Sequence, residues 1–329
     1  MLVLLTLAGL AGFVDGQASA AGARALRVGL VVERGKLADR GLNQLAYAGL
    51  VRAEHELGVK GRVLQSGSPA AAALNVAAFA RQGYDLVIGV GAGHADAVAA
   101  TAKRFPDVRF AIVDVNQRDL EGKPENVVGL LFEEQEAGYL AGYLGALSEK
   151  RRGGKAISAV AAKGARAGRY LAGYRAGARS AVPGIKVTWD YAGDSADRAE
   201  CRQLALDQIT QGSGVVFQVS GECGRGALDA AREQRAWGIG ADADASALGP
   251  FVLTSALKGA DVAVFATVEA RQRGDLLGGR NRTFGLDGGG VRLGAVSRRA
   301  ARADIEATRR VAKQIADGKI AHIPKTLGR

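Results

Sequence analysis

Aromatic side chains make up only 5% of the 329 residues, which argues against a stacking platform for single-stranded nucleic acid, the usual companion of a basic groove. Histidine is as scarce: His55, His94 and His322 are dispersed along the chain, so no pair has metal-ligand spacing. The two cysteines, Cys201 and Cys223, match no zinc pattern and leave one disulfide or two free thiols open. No G-x-S-x-G turn presents a nucleophilic serine. The apolar run Leu2 to Val14 falls short of the about 20 residues that a membrane helix needs. With Ala18-Ser19-Ala20 behind it, it predicts an export signal over residues 1–24. These absences together predict no enzyme, no cofactor and no metal.

What the chain does have is length, apolar residues and positive charge. At 329 residues it exceeds the size at which a single core usually stops growing, and 48% hydrophobic residues allow a large interior, so two lobes are expected. The 44 Lys and Arg outnumber the 33 Asp and Glu, for a net charge of +11. Most of the basic residues are single arginines, with short clusters at Lys150 to Arg152 and Arg298 to Arg302. Such a distribution fits a solvated basic surface, or attraction to an anionic membrane surface.

Strand-like and helix-like segments alternate from Leu26 onward, the pattern of a doubly wound α/β sheet. A second series of the same grammar begins after Val127 to Phe132. The expected organisation is two Rossmann-like lobes joined by a hinge, with residues 25–126 and 250–283 in the first and 127–249 and 284–329 in the second. The glycine-rich stretches Gly278-Gly279 and Gly288-Gly289-Gly290 are expected as turns of the crossing region, and Arg299 to Asp317 as a charged terminal helix. Four apolar runs end on a polar residue beside a turn: Val28 to Glu33, Phe110 to Asp114, Val215 to Ser220 and Gly238 to Asp242. In open α/β sheets the crevice beyond the carboxyl ends of parallel strands collects small molecules. One motif points toward an enzyme: Gly89-Val90-Gly91-Ala92-Gly93 with Asp114 further on approaches the dinucleotide fingerprint, with the third glycine one position early and on the third strand instead of the first. It keeps an NAD-dependent oxidoreductase as an alternative, beside a ligand-sensing regulatory protein without transport.

Several stretches, in this order and spacing, resemble one family. They include Val28-Gly29-Leu30-Val31-Val32-Glu33, Asp39-Arg40-Gly41-Leu42-Asn43-Gln44, the block from Tyr84 to Gly91, Phe105-Pro106-Asp107 leading to Asp114, Glu134 to Gly142, Gly240-Ala241-Asp242-Ala243-Asp244, and Leu253 to Lys258 with Asp261. Together they resemble the basic membrane protein family of solute receptors. The resemblance implies a periplasmic-binding-protein type I fold, an exported receptor in the periplasm or on the outer face of the membrane, and a monomer that passes a nucleoside or related small polar solute to an ABC permease. It implies no nucleic-acid partner.

The resemblance also implies a ligand site. Asn43 corresponds to a base-contacting amide, Asp114 to a carboxylate that accepts from the base, Asp242 to one that takes ribose hydroxyls, and Lys258 to a cation at the sugar end. Gly221 would let backbone approach the ligand closely, and Glu33 stands where the family usually has Asp. Leu42 and Ala196 occupy the positions of two aromatic walls, and Glu222 places a carboxylate near the sugar, which points to a smaller or more cationic solute. Asp39 completes the expected set. Other roles are open to the same residues: Asp39 and Asn43 as helix caps, the two aspartates as turn formers, Lys258 as a solvated surface charge, His94 as a solvated residue at the rim.

Overall fold

The computed structural model describes residues 24–34, 37–38, 41–193 and 197–328. Residues 1–23 of the predicted export segment, Asp39 and Ala196 therefore lie outside the described residues. The first half of the chain runs β1 (Arg27–Glu33), α1 (Leu42–Leu57), β2 (Lys60–Ser66), α2 (Pro69–Arg81), β3 (Leu86–Val90), α3 (Ala95–Arg104), β4 (Arg109–Val113) and β5 (Val127–Phe132). The second continues with α4 (Glu134–Arg151), β6 (Ala156–Ala161), α5 (Ala165–Ala181), β7 (Lys186–Tyr191), α6 (Arg198–Thr210), β8 (Ser213–Val219), α7 (Gly224–Glu233), β9 (Trp237–Asp242) and β10 (Val252–Lys258). The chain ends with α8 (Ala260–Arg273), β11 (Arg280–Phe284), β12 (Val291–Leu293) and α9 (Arg302–Ala316). Among the described residues no helix is long and apolar enough to cross a membrane.

Two six-stranded sheets result, ordered β11-β5-β4-β3-β1-β2 and β12-β10-β9-β8-β6-β7. The two orders are the same figure traced twice: β1 corresponds to β6, β3 to β8, β4 to β9 and β5 to β10. All pairings are parallel except β10 with β12. Parallel sheets need cover on both faces, and β3, every residue of which is buried, carries the unbroken apolar run that such cover demands. At α2 the sequence signals act as expected: the Ser68 hydroxyl accepts from the Ala71 amide at 3.2 Å and Pro69 fills the first helical position.

Sheet membership moves the expected lobe boundaries. β5 completes the first sheet instead of opening the second lobe at residue 127, and β10 lies in the second sheet instead of the first lobe. Each lobe finishes its own parallel sheet before the chain leaves it. The crossings fall after Phe132, after Lys258 and between Phe284 and Val291. They are tied together, since Glu133 donates its amide to Phe284 O at 3.0 Å and Gly259 to Gly290 O at 2.7 Å. The Gly278-Gly279 turn precedes β11 and is not itself a crossing.

The second lobe is organised around α4, which is buried on most of its surface. Gly138 and Gly142 of α4 face the carbonyls of Tyr170 and Tyr174, while Gly173 and Gly177 of α5 face those of Gln135 and Tyr139. A Cβ at any of the four would stand far inside van der Waals contact with backbone. Two interlocked G-x-x-x-G faces thus let the helices touch main chain to main chain, a contact only glycine permits.

His94 is buried, contrary to its expected place as a solvated residue at the rim. Its Nδ1 lies 2.7 Å from Val90 O. A carbonyl can only accept, so Nδ1 carries the proton. Nε2 is buried without a partner. Burial pushes the imidazole below its ordinary value, against the opposing pull of the Val90 carbonyl. As pH falls through the unfolded-state value of about 6.5, the unfolded chain gains a proton that the folded one refuses, and stability is lost. Melts at pH 7.5 and 5.5 should show this loss in the wild type, at most about 1.4 kcal/mol per pH unit, and a smaller one in His94→Gln. Equal losses in both would show that the ring titrates normally.

Candidate functional site

Residues beyond the carboxyl ends of both sheets line a cleft of about 770 Å³. From the first lobe come Glu33 at the end of β1 and Gly41, Leu42 and Asn43 at the start of α1. From the second come Gln218, Gly221 and Glu222 around the end of β8, Asp242 and Asp244 after β9, and the guanidinium-bearing Arg166, Arg198 and Arg225. These positions flank the points where strand order reverses, between β1 and β3 and between β6 and β8, where open α/β sheets form their crevices.

Asn43 does not cap its helix: the cap is Gly41, without a side-chain bond. Its Oδ1 instead accepts from the Glu33 amide at 3.2 Å. The bond locks the first turn of α1 to the end of β1. Gly221, at φ 63°, adopts the left-handed backbone that glycine tolerates. Cys201 and Cys223 form a disulfide with Cα atoms 5.6 Å apart, which staples α6 to the start of α7 immediately after Gly221 and Glu222. Of the two states open from the sequence, the structure has the cross-link.

Asp114 and Asp242 occupy equivalent places, at the ends of β4 and β9, and both are left-handed, with φ of 64° and 63°. Such backbone is costly for a residue with a side chain, by roughly 1–2 kcal/mol, and aspartate is among the few that bear it. Between the two carboxylates stands Lys258, the last residue of β10, which is fully buried. Its Nζ lies 2.7 Å from Asp114, 3.3 Å from Glu134 and 3.5 Å from Asp242. The Arg166 guanidinium reaches Asp114 at 3.4 Å and Asp242 at 3.9 Å. Arg169 grips Glu134 through two nitrogens, at 2.6 and 3.2 Å, and the Tyr170 hydroxyl donates to Asp242 at 3.1 Å.

Charge within the cluster follows from these contacts. Burial works against the Lys258 ammonium, but Asp242, Asp114 and Glu134 outweigh it and hold its pKa above the ordinary value. Burial also pushes both aspartates upward. At Asp242 the attraction of Lys258 and Arg166 prevails and its carboxyl stays low, whereas at Asp114 the neighbouring Asp242 and Glu134 add to burial and its carboxyl is raised. Acid therefore reaches Asp114 first. Asp114 is a first-lobe residue, while Lys258 and Arg166 belong to the second, so the cluster bridges the gap.

Of the expected site residues, the structure brings Glu33, Leu42, Asn43, Gly221, Glu222 and Asp242 together on the cleft walls. Asp114 and Lys258 are joined to them through the ion cluster and do not themselves line the cleft. Lys258 is not a surface charge. Arg166, Arg198, Arg225 and Gln218 on the walls, and Glu134, Arg169 and Tyr170 beneath, were not singled out from the sequence. Gly89 and Gly91 are absent from the cleft lining, and a side chain at Gly89 would collide with Val98.

The family model for ABC transporter substrate-binding proteins of the PnrA-like type matches residues 26–325. The chain is 31% identical to the ABC transporter nucleoside-binding protein BmpA of Lactococcus lactis, over 97% of this chain and 96% of that one. It is also 31% identical to a CD4+ T-cell-stimulating antigen of Listeria innocua, over 81% and 79% of the two chains. Among solved structures, a solute-binding protein of an ABC transporter system from Aeropyrum pernix superposes with a TM-score of 0.71 at 24% identity, covering 91% of this chain and 94% of that one. One from Conexibacter woesei gives 0.74 at 22% identity, covering 92% and 100%. At these identities the structural matches establish the fold, a periplasmic-binding-protein type I architecture. The chain belongs to the PnrA-like family of ABC transporter substrate-binding proteins.

Proposed function

We propose that this protein is an extracytoplasmic, monomeric receptor that closes on a nucleoside or related small polar solute and delivers it to an ABC permease. The observation that carries the reading is the ion cluster: Asp114 of one lobe is paired with Lys258 and Arg166 of the other beside a cleft lined from both sides. Closure around a solute then makes contacts that the open form lacks, which is what shifts the population. The nucleoside is suggested by the name of the Lactococcus relative, a nucleoside-binding protein. Leu42 supplies no ring on its wall. The specificity of this site therefore rests on hydrogen bonds and charge: the Asp242 and Glu222 carboxylates for hydroxyls, the Gln218 amide and the three arginines for acceptor groups. The arginines balance the acidic groups that had pointed to a cationic solute.

Unfolding and refolding the protein removes any carried-over solute. Thermal melts with inosine, adenosine, cytidine and NAD should then give a rise in Tm with at least one nucleoside, equivalent to about 2.7 kcal/mol at a hundredfold excess over Kd, and none with Asp242→Ala. A rise with NAD and with no nucleoside would reject the reading.

A further inference from the structure

The two basic clusters that stand out in the sequence, Lys150 to Arg152 and Arg298 to Arg302, converge in space. At the end of the second sheet opposite the cleft, where β9 begins at Trp237, a second cavity of about 790 Å³ opens. Five arginines line it: Arg151 and Arg152 from the end of α4, Arg232 and Arg235 from the end of α7 and the turn after it, and Arg299 before α9. The lining holds one carboxylate, Asp304, and Arg151 already engages it through two nitrogens at 2.7 and 2.9 Å. Arg299 lies over the Trp237 ring at 5.7 Å, so that indole reports on the cavity.

The cavity exists because of how the chain returns from β9 to β10. Residues 243–251 make that passage with a short 3-10 turn, Ala245–Leu248, where the other crossovers of this sheet use helices. No helix of that passage covers the sheet there, and Leu248 lines both this cavity and the cleft. Arg232 is paired in turn with Asp229 at 3.2 Å, and the like charge of the remaining arginines around one hollow repels itself unless a counter-ion enters. Ser148, only 5% exposed, also lines the cavity, and its hydroxyl, itself out of contact with solvent, has no partner. A buried hydroxyl without a partner is a lost hydrogen bond.

We infer that this cavity is an anion site for a phosphate-bearing group, distinct from the solute cleft, in which the arginines supply charge-assisted hydrogen bonds and Ser148 a neutral donor. A soluble phosphate and a phospholipid headgroup offer the same chemistry. The second would seat the base of this lobe against a membrane surface.

The test uses Trp189→Phe, which leaves Trp237 as the single indole, titrated with inorganic pyrophosphate at low ionic strength. A saturable change in Trp237 emission is expected, weakened at least tenfold by Arg152→Ala/Arg235→Ala and changed less than twofold by Arg309→Ala/Arg310→Ala on the exposed face of α9. Co-sedimentation with vesicles of phosphatidylglycerol in phosphatidylcholine, against phosphatidylcholine alone, distinguishes the sources. Binding that the Arg152/Arg235 pair abolishes assigns the headgroup, and pyrophosphate binding without vesicle binding assigns a soluble phosphate. The absence of a saturable response, or equal weakening by the two arginine pairs, would overturn the proposal. Nucleoside melts of the Arg152/Arg235 variant read the cleft separately.

Discussion

Lys258→Met should destabilise the protein by about 3–5 kcal/mol, the usual cost of removing one member of a buried ion cluster, and lower Tm by roughly 4–8 °C. Methionine keeps most of the volume, so the loss comes from charge. Asp114, Glu134 and Asp242 would be left around an apolar tip, with Arg166 and Arg169 as their remaining counter-ions. The sign of the pH dependence is a further check. Without the ammonium Asp114, already raised, rises further, and Asp242 loses the largest of the attractions that hold it low; a group raised above its unfolded value costs stability once it is ionised in the unfolded state. Relative to the wild type, which shares the His94 loss over this range, the variant should therefore recover part of its stability between pH 7 and pH 5. In the wild type Asp242 is held low, so its contribution is present above its unfolded value and lost as pH falls through the folded one. Equilibrium unfolding of both proteins at pH 7 and pH 5 reads the first effect, and unfolding below about pH 4 reads the second. A variant as stable as the wild type at pH 7 would mean that the cluster contributes nothing to holding the fold.

Gly142→Ala should cost roughly 2 kcal/mol or more, although alanine is the better helix former by about 1 kcal/mol. The new methyl meets the Tyr174 carbonyl, a backbone atom that no rotamer change can move aside, so α4 and α5 must separate. Tyr170, which donates to Asp242 from α5, would move with the helix, and solute affinity should fall with stability. Gly168→Ala is the internal control. It lies in α5, the partner of α4 in this contact, a Cβ there meets nothing within 4 Å, and its backbone is not left-handed. The substitution should gain about 0.5–1 kcal/mol. Opposite signs for the two, measured in denaturant, would assign the difference to the helix contact. Two changes of the same sign would remove the interlocked glycines from the account.

The alternation of strands and helices was legible because its signals are local: an apolar run, a proline at a first turn, a glycine at a helix end. Asp114 and Asp242 were legible for the same reason, as acids ending apolar strands, but their matched left-handed backbone was not, since nothing in the residue type announces the sign of φ. The sheet to which β5 and β10 belong was misplaced because a fully buried parallel strand reads alike in either lobe. Arg166 could not be distinguished from the other basic residues of a chain with 44 of them, because its role depends on the start of α5 facing the other lobe. Glu134 lies within a stretch that carried the family resemblance, yet only the fold brings it under Lys258. The pairing of Cys201 with Cys223 needed the distance between two helices, which a separation of 22 residues does not encode.

Neither lobe is one uninterrupted length of polypeptide. A truncation after residue 279 would take β11 from the first sheet and both β12 and α9 from the second, so the two halves cannot be produced apart by choosing a stop codon. The same threading has a protective side. A protease that severs one of the three passages leaves two covalent tethers in place, and the nicked protein should still migrate as a single species until it is denatured.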